Sequence, residues 1–87
     1  MPYRIRYSKA ARIDAKKLTA AKLADKAKAL IEILEENPCQ NPPLYEKLVG
    51  YLAGAYSRRI NIQHRLVYEV REEDRTVRVL RMWTHYE

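Results

Sequence analysis

Tyr3-Arg4-Ile5-Arg6-Tyr7 alternates apolar and basic side chains, the period of a half-buried strand. Ser8 then suits the N-cap of a helix running to about Leu18. Thr19 is placed to cap a second helix that continues to Glu36. In that helix Leu23, Ala27, Leu30, Ile31 and Leu34 fall on one stripe, while Lys22, Lys26 and Glu36 lie off it. Asn37-Pro38 stops the helix, because proline cannot continue the turn and restricts its predecessor. From Pro38 to Pro43 the chain reads as a proline-rich loop, after which the period changes to two. Residues 56–62 and 65–70 are expected as strands, 71–75 as a charged hairpin turn, and Thr76 to about Trp83 as the last strand. The order predicts an α+β fold, with two N-terminal helices packed on one face of a largely antiparallel sheet. The other face is then left open to bind something.

Composition limits the scale of this design. Eighty-seven residues suffice for a single domain, residues 1–87. A chain of this size buries roughly 60–65% of its unfolded surface, so modest stability is expected. An apolar fraction of 47% suits a folded domain. No apolar run approaches a membrane span, and Met1-Pro2-Tyr3-Arg4 has no apolar core behind it, so neither membrane insertion nor a secretory signal is expected. Cys39 is the one cysteine, which excludes an internal disulfide and a cysteine-built zinc site. A cytoplasmic location is the resulting expectation.

Charge changes the picture more. The net charge is +6, but residues 1–28 hold nine basic side chains against Asp14 and Asp25, while residues 29–87 hold eight basic against nine acidic. A concentrated basic segment attracts phosphate backbones whatever their sequence and steers association with them. Acidic protein partners fit the same charge, as does a merely solvated helix face.

Candidate chemistry is sparse. His64 and His85 are the two side chains best suited to proton transfer near neutral pH. Neither has the spacing of a metal-ligand cluster, so no metal and no cofactor are expected. There is no glycine-rich phosphate loop and no nucleophile elbow. The serines, Ser8 and Ser57, read as a cap and a strand residue, which argues against an activated serine. Seven tyrosines invite base stacking, although Tyr3, Tyr7 and Tyr68 read better as core edges with wet hydroxyls.

The second half read whole is more specific. Leu48-Val49-Gly50-Tyr51-Leu52-Ala53-Gly54-Ala55-Tyr56-Ser57-Arg58-Arg59-Ile60, then His64-Arg65-Leu66-Val67-Tyr68, then His85-Tyr86, resembles the YoeB/Txe family of the RelE/ParE toxin–antitoxin superfamily. The resemblance implies a RelE-like fold and a ribosome-dependent messenger-RNA endonuclease that works without metal, the ribose 2′-hydroxyl attacking the adjacent phosphate. It also implies the ribosome, mRNA and a cognate antitoxin as partners, and leaves a homodimer open. Carried over by motif, the general base falls on Glu46, the phosphate-contacting arginine on Arg65, and the general acid with its neighbouring tyrosine on His85 and Tyr86. Arg58 and Arg59 match the family's arginine pair and stand as RNA contacts. Trp83 occupies a position where an arginine often precedes the closing pair, with Arg81 two residues before it, so both are expected near RNA. Glu87 adds a carboxylate after the closing tyrosine.

Each assignment has a plainer counterpart. Glu46 also reads as a solvated or capping carboxylate, and Arg65 as an ion-pair partner of Glu69 or Glu46. His64 reads as a structural hydrogen-bonding residue. The same fold also serves the ParE branch, whose members poison gyrase without an acid–base set, and an inactive RNA- or protein-binding module remains a third reading.

Overall fold

The computed structural model describes residues 2–41, 44–50 and 53–83. Strand β1 (Arg4–Tyr7) leads into helix α1 (Lys9–Ala20) through Ser8, whose hydroxyl accepts from the Ala11 N–H at 3.0 Å and donates to the Leu80 carbonyl at 2.7 Å. One side chain thus caps the helix, as expected, and ties it to the last strand. Helix α2 (Ala24–Glu36) buries Ala27, Leu30 and Leu34, with Leu23 and Ile31 packed beside them, which is the predicted stripe. It ends at Asn37, as the Asn-Pro pair implies.

Thr19 does not cap α2. It lies inside α1, its hydroxyl donating to the Ala15 carbonyl at 3.1 Å. Ala20 and Ala21 do not break the helix, so α1 runs on and closes in a Schellman motif. The Leu23 N–H donates to the Leu18 carbonyl at 2.8 Å and the Lys22 N–H to the Thr19 carbonyl at 3.1 Å, with Lys22 at φ 62°.

Strands β2 (Tyr45–Lys47), β3 (Ala55–Arg59), β4 (Arg65–Arg71) and β5 (Thr76–Arg81) complete a five-stranded sheet of order β1-β5-β4-β3-β2. All neighbours are antiparallel except β1 and β5, which run parallel. The fold is α+β with both helices on one face, as the pattern of residues predicts. Two of the strands end earlier than the periodicity predicts, and the other bounds shift by at most a single residue. The strand expected over 56–62 stops at Arg59, because the Asn61 side chain accepts from the backbone N–H groups of Gln63 and His64 and folds the chain into a tight turn. The last strand stops at Arg81. β2 was not foreseen: three residues carry too little periodicity to be read as a strand.

Ala11, Leu18, Ala27, Leu30 and Leu34 of the helices meet Ile60, Leu66, Tyr68, Val77, Val79 and Met82 in one core. Among the described residues no helix is long and apolar enough to cross a membrane.

Candidate functional site

Strand alternation sends Leu66, Tyr68, Val77 and Val79 toward the helices and their neighbours to the opposite face. On that opposite face, where Ser57 and Val67 are themselves buried, β2 contributes Glu46, β3 Ser57 and Arg59, and β4 Arg65. The register sets Glu46 opposite Ser57 and Arg59 opposite Arg65. Arg4 and Arg6 of β1 and Arg78 of β5 extend the same face to the far edge, with Arg6 directly beside Arg78. Arg78 is held 3.7 Å from Glu69.

Leu44, Glu46, Ser57, Arg59 and Arg65 line a small cleft of about 140 Å³ at the β2–β3–β4 end of this face. Arg65 Nη1 donates to Glu46 Oε1 at 3.2 Å. The Glu46 side chain is 57% exposed and that of Arg65 20%, so the carboxylate is reachable while the guanidinium is largely fixed. The ion pair considered for Arg65 therefore exists, with Glu46 and not Glu69 as partner. It lies inside the cleft, where a carboxylate, two guanidinium groups and a hydroxyl converge. Carboxylate and guanidinium together are suited to accepting a proton and holding a phosphate. Ser57 is buried to 1% of its surface, and its Oγ has no hydrogen-bond partner among the described residues. The reading of the sequence missed it, as a small residue between tyrosine and arginine in a strand. The cross-strand match to Glu46, legible only once β2 is known, is the signal that finds it.

Arg58, expected as an RNA contact, faces the other way. It is buried to 1% on the helix side of the sheet and is not available to RNA. Its Nε donates to the Tyr68 hydroxyl at 2.9 Å, and its Nη2 to the carbonyls of Pro38 and Gln40 at 3.0 and 2.8 Å. The guanidinium also stands 4.9 Å from the Tyr45 ring centroid. Alternation alone forces this, because consecutive strand residues face opposite sides and Arg59 takes the open one. The Tyr68 hydroxyl, expected to be wet, is instead buried between Arg58 and the Pro38 carbonyl, and burial pushes its pKa up.

The end of β5 is clamped. Asp14, buried to 1% on α1, accepts from Arg81 Nε at 2.8 Å and from the backbone N–H groups of Met82 and Trp83 at 3.0 and 3.2 Å. Burial pushes its carboxyl up, and the Arg81 guanidinium with the two N–H groups more than offsets this, holding the pKa below the ordinary value. Arg81 is thus turned to Asp14. Trp83 stacks on His64 at 3.8 Å between centroids and 21° between planes, so one face of its indole is occupied. His64 Nδ1 has no hydrogen-bond partner among the described residues. Glu46, Arg59 and Arg65 are brought together; Arg58, Arg81 and Trp83 are engaged elsewhere. His85 and Tyr86 lie outside the described residues.

A helix pair on one face of a five-stranded sheet, with a basic cleft on the other, places the chain among small RelE-like α+β proteins. A chain of the RelBE2 toxin–antitoxin complex from Mycobacterium tuberculosis shares this fold, with TM-score 0.76 and 30% identity over 98% of this chain and 100% of that one. More particularly, residues 13–86 match the model of the YoeB-like toxin of bacterial type II toxin–antitoxin system, and the chain belongs to that family. It is similar to the YoeB dimer from Staphylococcus aureus, at 32% identity over 99% of this chain and 100% of that one, TM-score 0.83. A chain of the YoeB-YefM heterotetramer from the same organism gives 31% identity over 99% and 100%, TM-score 0.81. The YoeB/ParE toxin from Agrobacterium tumefaciens gives 27% identity over 95% and 99%, TM-score 0.86. No curated protein matches the chain.

Proposed function

We propose that this protein is a ribosome-dependent mRNA endonuclease, cutting message in the ribosomal A site by metal-independent acid–base catalysis and neutralised by a cognate antitoxin. The observation that carries the reading is the cleft, in which the reachable Glu46 carboxylate stands 3.2 Å from Arg65 with Arg59 across the strand register. Glu46 takes the proton of a ribose 2′-hydroxyl as that oxygen attacks the adjacent phosphorus. Arg65 and Arg59 bind the non-bridging oxygens as charge accumulates on them, for which a planar guanidinium fork suits better than an ammonium. The P–O5′ bond breaks, His85 gives its proton to the leaving oxygen, and the products carry a 2′,3′-cyclic phosphate and a 5′-hydroxyl. Tyr86 orients His85 or stacks on a base.

The arginines that continue across the sheet, Arg78, Arg6 and Arg4, extend a phosphate-binding path from the cleft. An acidic or amphipathic antitoxin segment laid over that face would deny it RNA. The family match and the toxin–antitoxin complexes among the similar structures support such a partner, and the S. aureus dimer supports self-association.

Primer extension on a defined mRNA, with and without ribosomes and beside a His85→Ala variant, tests the reading. It predicts cuts that require ribosomes, fall within codons and vanish in the variant. No cleavage by folded protein under either condition refutes it and turns attention to gyrase inhibition.

A further inference from the structure

A buried hydroxyl without a partner is uncommon in a folded protein and unfavourable there, because the group has left water and gained nothing in exchange. Among the described residues Ser57 Oγ is in that position, at the wall of the cleft. Its strand places it between the two halves of the proposed chemistry. Glu46 is its cross-strand partner on β2, Arg59 follows two residues on along the same face, and Arg65 pairs with Arg59 from β4. Cross-strand neighbours have Cβ atoms roughly 4.5–5.5 Å apart, so an oxygen held between Glu46 and Arg65 is within reach of this hydroxyl.

We infer that Ser57 is a substrate-contacting residue of the cleft, its hydroxyl donating a hydrogen bond to a non-bridging oxygen of the RNA phosphate that Arg65 and Arg59 hold. The inference rests on the function proposed above for its substrate. Serine suits the role physically. Its hydroxyl rotates freely to meet an incoming oxygen, and it is small enough to leave the cleft open. Donation to a charged oxygen satisfies the orphaned group only when the phosphate is bound.

The test compares Ser57→Ala and Ser57→Thr with the unmodified protein. A purely structural serine and a ligand-binding one predict different pairs of results. Removing an unsatisfied buried hydroxyl leaves thermal stability unchanged or higher. Loss of a donor to a charged oxygen weakens binding and cleavage by about 10- to 100-fold. Binding is read with a trinucleotide carrying 2′-deoxyribose at the scissile position, which offers the phosphate without the nucleophile; cleavage is read on ribosome-bound message. Ser57→Ala is expected to keep its melting temperature and lose affinity for this probe, and Ser57→Thr, which keeps the hydroxyl, to restore it.

If Ser57→Ala binds and cuts as the unmodified protein does, or if the unmodified protein does not bind the trinucleotide, the contact is refuted. If message is not cut by any form yet Ser57→Ala still loses probe affinity, the phosphate contact stands and the nuclease reading falls.

Discussion

Replacing Arg58 by alanine strips a buried guanidinium from the Tyr68 hydroxyl and from the carbonyls of Pro38 and Gln40; each loses a donor, and the Pro38 carbonyl keeps the Tyr68 hydroxyl. A loss of about 3 kcal/mol is expected, read as a fall in melting temperature of roughly 12–24 °C. Arg59→Ala, one residue on but exposed on the other face, is expected to leave stability within about 0.5 kcal/mol and to weaken RNA cleavage. The arginine pair was legible as a pair, and a period of two already says that its members part. Which member meets solvent depends on the loop after α2, whose carbonyls cover Arg58, and nothing local in the sequence announces that cover. Asp14 was equally silent, read only as a charge on a basic segment. With its pKa depressed in the folded state, it stabilises the fold above its unfolded value, near pH 3.8, and that contribution is lost as pH falls through the folded value. Urea unfolding between pH 2 and 6 should therefore show less acid destabilisation in Asp14→Asn than in the unmodified protein. An equal pH slope in both would contradict the role of the clamp.

At the level of elements, the α1–α2 junction illustrates a local motif set by geometry that the residues do not advertise. Schellman closures favour glycine at the left-handed position, yet Lys22 occupies it at φ 62°. Lys22→Gly is expected to stabilise the fold by roughly 0.5–1 kcal/mol, measured by chemical unfolding, because glycine enters this region without a Cβ penalty. The absence of glycine there explains why Thr19 looked like a helix start. The stripe of α2, the Ser8 cap and the β4–β5 hairpin were legible because each repeats a pattern over several residues or uses a side chain with one dominant local role. β2 offers only Tyr45, Glu46 and Lys47, and its existence depends on pairing with β3. Since β2 carries Glu46, the element hardest to read locally is the one that positions the proposed base.

Across the whole molecule, the parallel pairing of β1 with β5 brings the two ends of the chain's regular structure side by side. Arg4 and Arg6 thereby join Arg78 on the face that carries the cleft. All nine basic residues of the first 28 are exposed, so the charge seen in the sequence stays at the surface. The resemblance of the second half supplied Glu46 and Arg65 as a pair, and the fold brings them together although 19 positions separate them. Composition alone pointed to an acidic partner or a nucleic acid without choosing between them, because charge attracts both.

In the proposed mechanism cutting takes place in the Glu46–Arg65 cleft. Single-turnover cleavage of ribosome-bound mRNA by Glu46→Gln, with folding verified by circular dichroism, tests it most directly. A fall in rate of about 10²- to 10⁴-fold is expected, with fold and ribosome binding retained, because glutamine keeps the shape and removes the base. Cleavage by Glu46→Gln at the unmodified rate would contradict this mechanism.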